Sequence, residues 1–458
     1  MNTRLALAAV LALAGMANAW GSVALQSFGI SPSQPGPQLF TSVGAQTAPG
    51  PGSSATAEAA WPVTINYAWI DTLPTTIEVN FPDRTHATLT KTLGESRVGG
   101  WIWTGQGHGC FAVFSRFASV LRGTISCGTS PYAIAHTPGT TAQFLTRHSG
   151  SGMTAAQEVL PGALPGTPPA TPQTCTGPDT TVDVLVLFSA DYVPLGASIW
   201  EDAQFAIDLV RGVMHNSLAT ANIRLAGAAR ISRTGPGFPP VDLDDVPADP
   251  QARALRDYWA GDVVMYLASG TAYQAAGVLG AANIPQNQGL PPPGPQFASI
   301  AYAALLGNYA TDPGFYTFAH EFGHTFGANH ARGDDYPQPD NPTPVEPWAF
   351  GKWAAMTHQQ AQKNRYGAHD IMAYMNQCVA VVLNNDPDNC QMVPFYSNPA
   401  VTVTTEYLTD AGDLWTFTTG SPHNGGNPAD NAAVISEFAP CSAQYRARTD
   451  RIFADPFE

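Results

Sequence analysis

Positive charge is scarce in this chain: 20 Lys and Arg stand against 35 Asp and Glu, for a formal net charge of -15. That balance excludes the basic surface by which proteins hold nucleic acid and removes attraction to anionic membranes. Charged residues of either sign make up only 12 % of the 458 residues, about half the usual share. Long apolar runs are missing too. The longest, Leu5 to Ala14, is about half of what a membrane-spanning helix needs. The cysteines Cys110, Cys127, Cys175, Cys378, Cys390 and Cys441 include neither a CxxC pair nor a Cys-rich metal cluster.

What is present is enough to fold. Hydrophobic residues are 44 % of a chain with room for two or three domains. With 43 Gly and 40 Pro it is rich in turns and linkers. Arg4, the apolar run behind it and the small-residue exit Ala17-Asn18-Ala19 predict a secretory signal peptide over 1–19. An even set of cysteines in an exported chain predicts disulfides. The location expected is therefore extracellular, or periplasmic in a Gram-negative host, with no membrane association once the signal is removed.

The rhythm of the sequence divides the rest. Residues 20–60 are Pro, Gly, Ser and Ala with little periodicity and are expected to be a flexible leader without a core. Short alternating runs such as Ile77, Val79, Phe81 and Trp101, Trp103 predict a β-rich region over 61–160. A Pro/Gly/Thr linker follows over 161–180, then a larger domain over 181–445 and a tail over 446–458. The larger domain opens with a buried-strand pattern at Val182 to Phe188. Ser198 and Glu201 form a capping box for the helix behind them. A helix near Ala252 to Trp259 and a strand at Asp262 to Ala268 continue an alternating α/β order.

The chemistry lies in FYTFAHEFGHTFGANH. Asp312 and Pro313 are placed to start its helix. His320 and His324, four apart, share one helix face, with Glu321 beside them. Gly327 can turn left-handed and bring His330 back as a third ligand. Five specified positions at this spacing arise by chance on the order of 10⁻⁵ times per chain. Three imidazoles around one catalytic zinc ion leave a position for water, whose proton Glu321 accepts and passes to a departing amine.

This pattern, HExxHxxGxxH, with Asp370-Ile371-Met372-Ala373-Tyr374 downstream, resembles the metzincin zinc endopeptidases. Within them Val393 to Pro399 and Asn427 to Asn431 are similar to segments of secreted bacterial reprolysin-like and peptidyl-Asp metallopeptidases. The resemblance implies an α/β (α+β) zincin catalytic domain with a mixed twisted sheet and an active-site helix, preceded by a small β-rich pro-region. It implies Met372 as an apolar floor under the imidazoles and gives Tyr374 either a catalytic role or a packing one. Ala331, after the third histidine, is not the residue typical of well-known subfamilies. The substrates implied are proteins or peptides, cleaved by a monomeric enzyme made as a zymogen whose pro-region covers the cleft, the competing reading of that region being a permanent accessory domain that helps bind substrate and is never removed. An adhesin or toxin-like binding protein on a zincin fold is the other reading. Domain logic pairs Cys110 with Cys127, Cys378 with Cys390 and Cys175 with Cys441, Cys110 as a zinc-blocking thiolate being the alternative.

Overall fold

The computed structural model describes residues 37–49, 56–149 (except 84–85, 108, 129, 138–139 and 141), 177, 179–196, 198–234, 239–269, 278–284, 295–331, 351–357, 365–382, 390–406 and 414–447. The expected signal peptide, most of the expected linker and Cys175 lie outside them. Among the described residues no helix is long and apolar enough to cross a membrane.

The first layer is one antiparallel sheet of nine strands. They are β1 (Phe40–Val43), β2 (Ala57–Ile65), β3 (Thr76–Val79), β4 (Ala87–Arg97), β5 (Gly100–Gly107), β6 (Cys110–Phe117), β7 (Val120–Cys127), β8 (Ser130–His136) and β9 (Gln143–His148), with the short helix α1 (Tyr67–Ile70) after β2. Their order is β1-β2-β9-β8-β7-β6-β5-β4-β3. The alternation read from Ile77, Val79, Trp101 and Trp103 is the pleat of this sheet, whose inward side chains bury a separate core. Ahead of β1, Gln38 bridges to Glu78 in β3, and Leu39 N–H donates to Glu78 O at 2.8 Å. The two edges thereby meet, and the sheet nearly closes on itself, protecting strand edges that would otherwise stay unpaired.

The expectation of a coreless leader over 20–60 is corrected at its end. Leu39 and Phe40 are fully buried, and β1 and the start of β2 fall inside that range. Composition suggested a flexible leader, but two large apolar side chains placed against a nearly closed sheet gain more from burial than the Gly and Pro around them cost.

The second layer is a five-stranded sheet with helices. Its strands are β10 (Thr181–Phe188), β11 (Asn222–Arg230), β12 (Val263–Ala268), β13 (Gly280–Ala282) and β14 (Tyr302–Leu306), in the order β11-β10-β12-β14-β13. All neighbours pair parallel except β13, which runs antiparallel along the β14 edge. The central strands are buried on both faces, as their near-continuous apolar sequence requires. Helix α2 (Ile199–Asn216) starts as read, with Ser198 Oγ accepting from Glu201 N–H at 3.2 Å. Helices α3 (Pro239–Ala248) and α4 (Pro250–Trp259) lead into β12. The helix of the histidine motif is α5 (Thr317–His324), packed on α2. It begins later than Asp312 and Pro313 predicted: Asp312 instead closes a turn, its carboxylate accepting from Gly314 N–H at 2.8 Å and its carbonyl from Phe315 and Tyr316 N–H.

Behind α5 come β15 (Trp353–Thr357), β16 (Arg365–His369), α6 (Met375–Val381), β17 (Cys390–Met392), the hairpin β18 (Thr402–Glu406) and β19 (Leu414–Thr418), and α7 (Asn431–Ser442). Disulfides Cys110–Cys127 and Cys378–Cys390 are formed. Cys110 is therefore no zinc-blocking thiolate. Cys441 is disulfide-bonded too, while its expected partner Cys175 lies outside the described residues.

Candidate metal centre

Helix α5 presents His320 and His324 one turn apart, and the chain after it doubles back through Gly327. That glycine has φ +91°, a left-handed conformation that an L side chain resists, so the turn is possible there and His330 returns to the other two rings. The three Nε2 atoms form a nearly equilateral triangle: 3.1 Å from His324 to His320, 3.1 Å from His324 to His330, and 3.2 Å from His320 to His330. His324 is buried and the other two are half-buried.

The orientation of the rings identifies what the triangle can hold. His324 Nδ1–H donates to Ala328 O at 2.7 Å, and His320 Nδ1–H donates to Ile371 O. A carbonyl can only accept, so in the neutral rings each Nε2 carries a lone pair turned toward the other rings. Lone pairs at this separation repel unless a cation lies among them. The corners of a tetrahedral zinc site lie about 3.3 Å apart, close to the observed spacing, so the three residues fit a metal ion.

Residues to which the sequence reading assigned no role fix this arrangement. Asn431, at the start of α7, donates from Nδ2 to Asn329 O at 2.9 Å and accepts from Asn329 N–H at 3.2 Å, gripping the residue before His330 on both sides. Tyr396 O–H donates to Ala319 O at 2.6 Å, anchoring α5 next to His320. Asp370 accepts from Met372 N–H at 2.9 Å and from Lys352 N–H at 2.8 Å, shaping the turn whose Ile371 carbonyl orients His320. Only the segment likeness around Val393 to Pro399 and Asn427 to Asn431 pointed toward Tyr396 and Asn431, and it assigned them no role.

The other expected site residues are gathered here. Met372 is fully buried beneath α5, its Sδ against Gly323. The Tyr374 ring lies 4.2 Å from the His330 ring and 6.2 Å from the His320 ring, centroid to centroid. Glu321 is buried, its carboxylate against the Gly280 backbone in β13. His369, outside the triangle, donates from Nδ1 to Asp370 O at 3.0 Å, and burial lowers its pKa to about 4.

No protein-family model matches the chain, and no curated protein matches it. Among solved structures it is similar to a chain titled "Structure of a chaperone-substrate complex", at 14 % identity and a TM-score of 0.37, covering 73 % of this chain and 39 % of that one. It is also similar to metalloproteinase-II from Bacteroides fragilis, at 12 % identity and a TM-score of 0.36, covering 57 % of this chain and 83 % of that one.

Proposed function

We propose that this chain is an exported zinc-dependent endopeptidase, with a metzincin-type catalytic unit over 181–445, made as a zymogen and acting as a monomer on protein or peptide substrates. The observation that carries this reading is the convergence of three imidazole Nε2 atoms, two of them oriented by backbone carbonyls and borne on a helix that also carries a buried glutamate. His320, His324 and His330 would hold the ion, which when bound would supply a Lewis acid able to bring the pKa of water down to about 7. Glu321, next to the first ligand and walled in by β13, takes the proton of the attacking water and returns it to the departing amine. Tyr374, whose ring lies tilted against that of His330, turns its hydroxyl to the carbonyl oxygen as that oxygen gains charge. Met372 fills the space under α5 and keeps the ligand helix from sinking. Disulfides at Cys110–Cys127 and Cys378–Cys390 are consistent with an oxidising compartment.

The test is metal content together with chelator-sensitive cleavage of casein by the purified protein and by Glu321→Gln. One zinc per chain in both, with cleavage by the wild type alone, is the expected result. Metal lost from Glu321→Gln, or cleavage retained by it, overturns the role of Glu321. A folded, metal-loaded wild type that cleaves no substrate overturns the protease reading in favour of a binding protein.

A further inference from the structure

The first residue of α5 is preceded by an unusual start. Tyr316, at the N-cap, has φ +50°, a left-handed backbone for a bulky residue, and its side chain makes no capping hydrogen bond. Such a conformation costs about 1 kcal/mol or more and persists only where surroundings impose it. The surroundings here are the nine-stranded sheet. Tyr316 is fully buried, and its hydroxyl is 2.7 Å from Ser126 Oγ in β7. Asp312, whose carbonyl receives Tyr316 N–H at 2.9 Å, takes a hydrogen bond on Oδ2 from Thr56 Oγ1 at 2.8 Å and lies 3.4 Å from His148 Nδ1. Thr56 and His148 are 2.8 Å from each other. Three residues of the sheet unit thus grip the five-residue turn that launches the metal-ligand helix.

The same sheet covers α2, on which α5 packs. That face of α2 carries three buried carboxylates, Glu201, Asp202 and Asp208, and each meets a basic group of the sheet. Arg97 reaches Asp208 through both guanidinium nitrogens at 2.6 and 2.5 Å, Arg122 pairs with Asp202, and His136 Nε2 is 3.5 Å from Glu201. Gly212 lies in the same interface: a methyl there would be 2.7 Å from Val113 Cγ2 and 3.1 Å from Thr104 Cγ2. A mid-helix glycine costs about 1 kcal/mol, and this one lets the helix and sheet approach. Ile102 and Val113 of the sheet belong to the same core as Phe318, Phe322 and Met372. Phe111 packs edge-on against Phe395 at 4.9 Å, and the Phe395 carbonyl receives Ile371 N–H.

With the sheet docked in this way, His320 and His330 remain half-buried, not sealed off. We infer that the nine-stranded sheet is a permanent half of the metal centre's scaffold, holding the Asp312–Tyr316 turn and the acidic face of α2, and that it stays bound to the catalytic unit even when the chain between them is cut. Pulling it away would break the Arg97–Asp208 and Arg122–Asp202 pairs and expose a shared apolar core to water, the second being the larger cost. Thr56, Ser126 and Asp312 are positioning residues, acting on the ligands through the start of α5. This rests on the metal-site reading above and changes what a pro-region does here, from covering the cleft to building it.

The full chain carrying Glu321→Gln, with a recognition sequence for a specific protease inserted between residues 160 and 170, tests the inference. After cutting, both pieces should co-elute in size exclusion, and the visible spectrum of bound cobalt should match that of the uncut protein. Separation of the pieces in physiological salt overturns the inference, whatever happens to the metal. Co-elution is read from protein alone, so a chain that binds no metal would sink the functional reading and leave this association measurable. In the uncut chain, Thr56→Val with Ser126→Ala should weaken cobalt binding about tenfold and shift its spectrum. Ser126→Thr, which keeps the hydroxyl, should restore most of the affinity. Unchanged cobalt affinity in the double variant removes the positioning role.

Discussion

Gly280 and Glu321 are packed face to face between the edge strand β13 and helix α5: a methyl on Gly280 would lie 2.6 Å from Cδ and 2.7 Å from Cγ of Glu321. Gly280→Ala therefore cannot be accommodated unless the glutamate swings away or β13 moves. The three histidines are held from other directions, by Ile371, Ala328 and Asn431. We predict that Gly280→Ala keeps one metal per chain and lowers kcat about 100-fold, the scale of an ångström's misplacement of a reacting group. Metal analysis with steady-state kinetics checks it, and wild-type turnover would show that the position of Glu321 does not limit the reaction.

Met372 supports α5 by filling volume, which separates it from the ligands. Met372→Ala should cost about 2 to 5 kcal/mol of stability through the cavity it leaves, while Met372→Leu, of similar volume, should cost less than about 1.5 kcal/mol. Urea unfolding of the metal-loaded proteins measures both. Equal losses in the two variants would argue that the sulfur, not the volume, matters.

Much of this molecule could be read from local pattern because local physics decides it. The spacing of His320, His324 and His330 is set by helix pitch and one left-handed glycine, and β10, α2, α4 and β12 follow from apolar period and capping. What the sequence hid is long-range. Asn431 grips Asn329 across 102 residues and Tyr396 reaches Ala319 across 77, and nothing in the neighbourhood of either residue signals the pairing. The start of α5 shows the same limit: Asp312 and Pro313 form a proper capping sequence, but the carboxylate's partners Thr56 and His148 lie more than 150 residues upstream and hold it in a turn instead. The buried carboxylates of α2 look like a solvated acidic face until the sheet's arginines are placed against them.

Tyr374 separates into a ring and a hydroxyl. The ring packs tilted against His330 at 4.2 Å between centroids, a contact that Tyr374→Phe keeps, so the variant should leave metal affinity near that of the wild type. If the hydroxyl meets charge developing in the transition state, kcat should fall about 10- to 100-fold with KM little changed. An unaltered kcat in Tyr374→Phe would assign the residue to packing alone.

The Cys378–Cys390 disulfide ties α6, just past the Met372 turn, to β17. It closes a short loop, worth about 3 kcal/mol by chain entropy. Replacing both cysteines with alanine should lower the unfolding midpoint while leaving the metal triangle assembled, since the carbonyls that orient His320 and His324, those of Ile371 and Ala328, lie outside that loop. Differential scanning calorimetry and metal content test it, and loss of the metal at temperatures where the fold persists would show that the disulfide also shapes the turn.

His136 gives the interface between the sheet and α2 a pH signature. Burial, and secondarily the nearby Arg122 charge, lower its pKa below the ordinary 6.5 even though Glu201 lies 3.5 Å away. The unfolded chain therefore binds a proton at this site more readily than the folded one, and the stability tied to the neutral ring is present above about pH 6.5 and lost as pH falls below it. His369, lowered to about 4, acts in the same direction, while Asp262, which burial raises to about 7, acts in the opposite one, so the overall profile mixes these groups. The comparison that isolates His136 is the difference between wild type and His136→Gln. Glutamine has no proton to gain, so the stability gap between the two proteins should be widest near about pH 8 and narrow toward about pH 5 in urea unfolding. A gap that stays constant across that range would show that His136 does not titrate with unfolding.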